Sequence, residues 1–286
     1  MMLKKGLGIV LFIAAMAGGV SGQQDRGTFT GTVTDPSGAV LVEVKATIVN
    51  AATNANYDSA TNDAGQYTVP NLPIGTYRMT FVKSGFKNWV REYLTLNVAQ
   101  VARVDVQMQI GVVDESVQIQ EPLPVLQTGS PDVGMVLNKQ DVVDLPLGFA
   151  GGRLAENFAY KLTPGVGGNS YESRINGSAA FTKAVVLDGA DATIYIGGHF
   201  GESSPSLEAI EEFKVQTSGM SAEYGRTGGG IFNFVMKSGT NRIHGSAVGL
   251  IHNEWADANS FTNNFFGRPK QRDRRNDWGG SLGGLL

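Results

Sequence analysis

Two stretches of this chain alternate with period two, and that spacing, which sends successive side chains to opposite faces of an extended backbone, limits the fold more than any other feature. In the first, Phe29, Gly31 and Val33 interleave with Thr28, Thr30, Thr32 and Thr34, and later Ala102, Val104, Val106, Met108 and Ile110 interleave with Val101, Arg103, Asp105, Gln107 and Gln109. Turn sequences punctuate this region at Asp35-Pro36-Ser37-Gly38, Asn62-Asp63-Ala64-Gly65 and Leu72-Pro73-Ile74-Gly75. Short half-buried strands at such intervals predict an all-β sandwich over residues 23–111. In the second stretch, Ile243, Gly245, Ala247, Gly249 and Ile251 share one face, and Arg242, His244, Ser246, Val248, Leu250 and His252 the other. That is the weak signal of a transmembrane β-strand, apolar to lipid and polar to the lumen. Trp278, Gly280, Leu282, Gly284 and Leu286 repeat it with an aromatic at one end, as a girdle residue would sit. The polar residues 253–277 between them read as a long extracellular loop.

Composition narrows the classes further. Glycine supplies 38 of 286 residues, with 14 before residue 148 and 24 from there on. That is about 13% against a usual ~7%, and its uneven placement predicts two differently built halves. No apolar run after residue 20 approaches the ~20 residues of a membrane helix, which excludes a helical membrane bundle. A net charge of −3 provides no basic field for nucleic acid. The absence of cysteine excludes disulfides, zinc–thiolate sites and a cysteine nucleophile.

The N-terminus carries export chemistry. Lys4 and Lys5 precede an almost unbroken apolar run from Gly6 to Ala17, followed by the small residues around Val20-Ser21-Gly22. This order predicts a cleaved secretory signal over residues 1–22. Without Lys4 and Lys5 the mature chain has 21 basic against 26 acidic side chains, a net charge near −5.

Between the two alternating stretches the character changes twice. Residues 112–134 form a linker in which Pro122 and Pro124 favour extended chain and prevent continued ladder donation. Its acidic start and the alternating Val117 and Ile119 suit capture by another protein through β-augmentation, and they equally suit a last strand or a plain tether. Residues 135–240 read as α+β: helical pieces at Gln140 to Leu145 and Arg153 to Leu162, the second stopped by Thr163-Pro164-Gly165. Strand-like pieces follow at Arg174 to Gly177, Lys183 to Leu187, Phe213 to Thr217 and Gly230 to Lys237. Ser206 is an expected N-cap for a short acidic helix through Glu212, and Ile194 to Ser206 reads as a solvent-facing Gly/Ser loop.

The order Gly31-Thr32-Val33, Asp35-Pro36-Ser37-Gly38, Asp63-Ala64-Gly65-Gln66-Tyr67, Leu72-Pro73-Ile74-Gly75-Thr76-Tyr77 and Gly85-Phe86 resembles the carboxypeptidase regulatory-like domain, a prealbumin-like sandwich related to carbohydrate-binding folds. A second ordered series follows: Leu162-Thr163-Pro164-Gly165-Val166, Arg174-Ile175-Asn176-Gly177-Ser178, Val186-Leu187-Asp188-Gly189-Ala190-Asp191, Ala209-Ile210-Glu211-Glu212-Phe213-Lys214-Val215, Ser221-Ala222-Glu223-Tyr224-Gly225 and Lys237-Ser238-Gly239-Thr240-Asn241. It is similar to the plug domain of TonB-dependent outer-membrane receptors, and is nearest to Oar-like members that place a carboxypeptidase regulatory-like domain first. Gly148-Phe149-Ala150-Gly151-Gly152-Arg153 stands where the family more often has a shorter Asn-Gly-Arg turn.

That resemblance implies a mixed fold: an N-terminal all-β sandwich in the periplasm, an α+β plug, then the first strands of an incomplete transmembrane β-barrel from about residue 241, the complete barrel having ~22 strands. It also implies TonB as partner, with Val113, Asp114, Glu115, Ser116, Val117, Gln118 and Ile119 as the candidate TonB box, and gated uptake of an unknown substrate, carbohydrate or peptide. Two strands cannot close a barrel, so the chain is expected to be a truncated product, a fragment, or one part of a split reading. The alternative is a periplasmic or cell-surface carbohydrate- or protein-binding module, for which Tyr57, Trp89 and Tyr93 are the available aromatic platforms, although packing inside the sandwich suits such rings better.

No cofactor, metal or catalytic residue is expected. His199 and Glu202 have the His-x-x-Glu spacing of some zinc carboxypeptidases but sit in a Gly/Ser loop without a third ligand. His244 and His252 are too far apart to share an ion, at ~3.3 Å per residue. Gly225-Arg226-Thr227-Gly228-Gly229-Gly230 lacks the ending of a phosphate loop. Glu208, Glu211 and Glu212 are read as a solvated helix face, and Asp188 and Asp191 as turn formers.

Overall fold

The computed structural model describes residues 26–111, 116–119, 130–138, 154–170, 172–194, 199–200, 205–220, 222–225 and 227–284. The expected signal at 1–22, the helix at 140–145 and the glycine turn at 148–153 lie outside them.

The N-terminal unit is a two-sheet sandwich. Its strands are β1 (Gly27–Thr34), β2 (Lys45–Asn50), β3 (Asn56–Ala60), β4 (Gln66–Leu72), β5 (Gly75–Val82), β6 (Asn88–Leu96), β7 (Val101–Arg103), β8 (Val106–Gln107) and β9 (Ser116–Ile119). One sheet runs β4-β1-β7, with β8 pairing further along β1, and the other runs β3-β2-β5-β6-β9. The period-two faces close on each other: Phe29, Val33, Ala102, Val104, Val106 and Met108 are buried with Ile48, Tyr77, Met79 and Phe81 from the opposite sheet. Edge-to-face rings join the sheets, with Phe29 5.6 Å from Tyr77 and Tyr67 4.9 Å from Phe81 between centroids. The buried Tyr67 hydroxyl donates to Val104 O at 2.7 Å, so its polar end is satisfied inside the core. Gly31 is required here, because a Cβ would lie 2.0 Å from Val104 O. Pro70 is accommodated in β4, an edge strand.

The second unit is α+β. It comprises β10 (Val133–Asn138), α1 (Ala155–Leu162), β11 (Val166–Gly167), β12 (Arg174–Ile175), β13 (Ala184–Leu187), β14 (Ala190–Asp191), β15 (Thr193–Ile194), β16 (His199–Phe200), β17 (Ile210–Ser218) and β18 (Ile231–Met236). The main sheet has the order β10-β17-β18-β13-β14, antiparallel except for the parallel β13/β18 pair. Helix α1 buries Ala155, Phe158 and Ala159 in a core with Val185, Val215 and the stacked pair Phe213 and Phe234. It stops where Thr163 donates its N–H to Ala159 O and Pro164 follows, as the sequence predicts. The acidic helix after Ser206 is not formed. Ser206 does cap, accepting from Glu208 N, but the helix is one 3-10 turn, Leu207–Ala209, and Ile210 already begins β17. Beyond a register shift between Ile210 and Glu212, the alternation of Phe213 and Val215 toward the core outweighs the helical propensity of the glutamates.

The third unit is a ten-residue antiparallel hairpin, β19 (His244–Asn253) and β20 (Arg274–Gly283). Its connection holds a 3-10 turn, Glu254–Ala256, and a short helix α2 (Phe261–Phe265) capped by Ser260. The loop therefore spans 254–273 rather than 253–277. Arg274, Asn276 and Asp277 extend β20, so Trp278 sits in the middle of its strand and not at its end.

A buried ion pair fastens α1 to β13. Lys183 Nζ donates to Glu156 Oε2 at 2.6 Å and to Ser170 O at 3.2 Å, pairs with the Tyr160 hydroxyl, and lies 5.1 Å above the rings of Tyr160 and Phe232. Burial pulls the Lys183 ammonium below its ordinary value, opposed by the Glu156 charge. Lys183→Met should therefore destabilise this unit by about 3–5 kcal/mol, because Glu156 is left buried without its partner. The Glu156→Gln/Lys183→Met double variant should recover much of the loss, measured by urea unfolding.

Candidate functional site

The candidate TonB box begins outside the described residues, at 113–115, and continues into them. Residues Ser116 to Ile119 form β9, which pairs in parallel with β6 in the register Asn88↔Ser116, Trp89↔Val117, Val90↔Gln118 and Arg91↔Ile119. Alternation of Val117 and Ile119 was compatible with capture, a last strand or a tether; here the segment is the edge strand of the five-stranded sheet. Beyond the segment, Val133 starts β10 inside the stretch read as linker.

A polar junction joins the sandwich to the α+β unit, and the sequence reading missed it. Strand β17 is buried on both faces; Phe213 and Val215 point into the apolar core, and Glu212, Lys214 and Gln216 alternate with them. Glu212 Oε1 accepts from Val98 N at 2.6 Å. Lys214 Nζ donates to Ala99 O at 3.2 Å and forms an ion pair with Asp132, whose carboxylate also accepts from Gln216 Nε2 at 3.2 Å. Both sandwich groups belong to the turn between β6 and β7, where Ala99 has φ +48° and its neighbour Val98 is buried. Glu212 is thus no part of a solvated face. Burial pushes its carboxyl up to about 7, against the pull of the Val98 N–H and the Lys214 charge. Asp132 goes the other way: burial raises it, but the Lys214 and Ser130 hydrogen bonds prevail and hold it below the usual carboxylate range. An alternating Glu-x-Lys-x-Gln inside a strand flanked by Phe and Val was the available signal, since polar residues on a strand buried on both sides need partners.

The hairpin presents two unlike faces. Register pairs Gly245↔Leu282, Ala247↔Gly280 and Gly249↔Trp278 put the small and apolar residues on one side, where Ile251, Trp278 and Leu282 are 84%, 88% and 86% exposed. The opposite face carries Ser246 and Ser281, hydrogen-bonded at 2.9 Å, and turns toward the α+β unit: a Cβ at Gly279 would stand 2.9 Å from Glu208 Oε2 and 3.4 Å from Ser206 Oγ.

Trp89 is 5% exposed and packs on Phe81, Tyr57 packs against the same core, and Tyr93 alone of the three rings is open, at 65%. Asp188 is a turn residue, with φ +47°, and accepts from Met236 N, whereas Asp191, expected as a turn former, ends β14 and accepts from Thr193 N. Thr227 hydrogen-bonds Thr182 O, and Gly228 and Gly229 donate to the same oxygen, so this glycine run is a packed turn. His244 bonds locally to Arg242 O and Thr240, and His252 lies 3.1 Å from Asp257 and 3.4 Å from Asp273. His199 is in β16 and Glu202 lies outside the described residues; among those described, no three His, Cys, Asp or Glu side chains are grouped to hold a metal.

Glu212 makes the junction pH-dependent. Its folded value, about 7, lies above the ordinary 4.5, so its contribution to stability is full below about pH 4.5 and is lost as pH rises through about 7. Glu212→Gln keeps the acceptor without the titration. It should flatten the fall in melting temperature between about pH 5 and pH 8, which corresponds to on the order of 1–3 kcal/mol in the unsubstituted chain.

Residues 28–109 match the carboxypeptidase regulatory-like domain family, and residues 235–286 match the outer membrane β-barrel domain family. The chain is 29% identical over 247 residues to the TonB-dependent transporter Oar of Myxococcus xanthus, covering 84% of this chain and 23% of that protein. It therefore spans about a quarter of the relative's length. Among solved structures, it resembles the siderophore receptor PirA of Acinetobacter baumannii (23% identity, 44% of this chain and 20% of that one, TM-score 0.34) and the ferric enterobactin receptor PfeA of Pseudomonas aeruginosa (18% identity, 42% and 19%, TM-score 0.31), overlaps too slight to bear on the fold. The chain is thus similar over most of its length to a TonB-dependent transporter, with a match to the carboxypeptidase regulatory-like domain ahead of a match to the outer membrane β-barrel domain.

Proposed function

We propose that the chain forms the periplasmic and plug portion of a TonB-dependent transporter, in which residues 135–240 gate uptake of a substrate through a barrel that starts near residue 241. The sandwich over 23–111 stands in the periplasm, and the linker at 112–134 presents Val113 to Ile119 to TonB.

One observation carries this reading: the two faces of the β19/β20 hairpin. Its polar face rests on the turn at 206–209 of the α+β unit, and its opposite face exposes Ile251, Trp278 and Leu282. A unit packed on the inner side of strands whose outer side suits hydrocarbon has the arrangement of a plug against a barrel wall. The similarity to Oar supports it, because it extends over 84% of the chain and not over the sandwich alone. The binding-module alternative loses ground at the same time, since Trp89 and Tyr57 belong to the core.

A synthetic peptide of residues 111–122 tests the coupling role. It should bind the purified periplasmic domain of TonB in calorimetry, and the Val117→Pro peptide should bind at least about tenfold more weakly, since proline removes a ladder donor from an added strand. Absence of binding, or equal binding by the two peptides, contradicts the assignment.

A further inference from the structure

The connection between β19 and β20 holds four large rings against water: Trp255, Phe261, Phe265 and Phe266 are all exposed, Phe261 by 83%. Three of them form one patch. Phe261 and Phe265 stack one helical turn apart on α2 with centroids 6.2 Å apart, Phe266 meets Phe265 edge-on at 5.1 Å, and the Arg268 guanidinium lies 5.4 Å over the Phe266 ring. Hydrogen bonds close the loop and leave this patch outside. Asn259 Nδ2 donates to Arg268 O at 3.1 Å, Arg268 N to Asn263 O at 2.7 Å, and Lys270 Nζ to Asp257 O at 2.7 Å. Exposure of the rings is thus built into the loop, and a contiguous apolar patch rimmed by polar groups marks an interaction site.

Position along the hairpin identifies what covers the patch. From Ile243 to Ile251 the apolar face rises by roughly 26 Å, at ~3.3 Å per residue, which fills the apolar band of about 25 Å on a barrel wall. The same face then turns polar, with Asn276 opposite Ile251 and Arg274 opposite Asn253, and the loop begins at Glu254. The rings therefore stand at headgroup level, where aromatic side chains are favoured. Charge is divided to match. Asp257 and Asp273 turn to His252, at 3.1 and 3.4 Å, on the opposite face of β19, and Glu254 is taken by Arg274 at 2.9 Å. Arg268, Lys270 and Arg272 follow the rings in the chain, all exposed, and none is within ion-pair distance of a carboxylate among the described residues. Long connections between barrel strands lie on the outer side of the membrane. Resting on the reading of β19 and β20 as barrel strands, we propose that the loop over 254–273 docks on phosphorylated lipid headgroups of the outer leaflet. The Phe261, Phe265 and Phe266 rings enter the interfacial layer, and Arg268, Lys270 and Arg272 hold headgroup phosphate. Rings alone would suit a neutral bilayer equally; the basic run selects an anionic one.

The absence of native cysteine lets the loop be read apart from the hairpin. The full chain, with a polarity-sensitive fluorophore at Thr262→Cys, an exposed position of α2, is titrated with vesicles of phosphatidylcholine alone or mixed with diphosphorylated lipid A. The dye should move to a less polar environment at lipid A vesicle concentrations at least about tenfold lower than with phosphatidylcholine alone. Each basic side chain near an anionic surface is worth about fivefold, so Arg268→Gln/Lys270→Gln/Arg272→Gln should erase that preference, whereas Arg268→Lys/Arg272→Lys should keep it. Phe261→Ser/Phe265→Ser/Phe266→Ser should abolish the dye's response while the chain still floats with either vesicle through its hairpin. A preference that survives loss of the three charges, an equal response to the two vesicles, a dye that stays in water while the native chain floats, or a shift with inorganic phosphate alone would each overturn the docking role and leave the barrel strands intact. A chain that floats with neither vesicle would remove the barrel strands, and the docking role with them.

Discussion

Backbone hydrogen bonding along strand edges is the constraint on which this molecule turns. A strand surrounded by hydrocarbon must pair on both sides, whereas a strand in water can leave one side to solvent or lend it to a partner. The three units meet the constraint in different ways. The sandwich caps one sheet with the short β9, the α+β unit threads β17 and β18 through the centre of its sheet, and the β19/β20 hairpin pairs all ten positions of one strand with ten of the other. Strand β17 is paired along both edges, whereas β9 is a four-residue parallel strand at the edge of its sheet.

The junction at Glu212 and Lys214 connects those two kinds of strand. Burying a carboxylate and an ammonium costs free energy that is offset only when each has well-aligned partners. Lys214 has Asp132 and Ala99 O, while Glu212 has the Val98 N–H and is raised to about 7. Because the grip falls on the turn following β6, it ties β17 to the strand that pairs with β9. The sandwich is therefore fastened to the α+β unit through buried side chains of β17.

Much of this was legible in the sequence, for reasons that can be traced to particular residues. The alternating threonines and apolar residues of β1 needed only period two to be placed, and Thr163-Pro164-Gly165 ended α1 by the chemistry of proline and glycine. The alternation of 243–251 gave the hairpin faces, but Arg274 to Asp277 looked like loop because this end of β20 is polar on both faces and carries no hydrophobic alternation of its own. Glu211 and Glu212 were misplaced onto a helix, since local propensity favours helix there and only the sheet context decides otherwise. The Lys183–Glu156 and Lys214–Asp132 pairs span 27 and 82 positions of sequence, and no local pattern announces a partner at that distance. Trp89 shows the converse: a ring that could have served a sugar is spent on the core.

What separates a gated transporter from a soluble module is where the two faces of the hairpin lie, and the cysteine-free background allows that to be read residue by residue. Single cysteines placed at successive positions of 244–251 in the protein in outer membranes, exposed to a membrane-impermeant maleimide, address it most directly. Protection is expected at 245, 247, 249 and 251, with labelling at 244 and 246, the water-exposed positions of the opposite face. Labelling without this alternation would contradict a lipid-facing strand and, with it, the transporter reading.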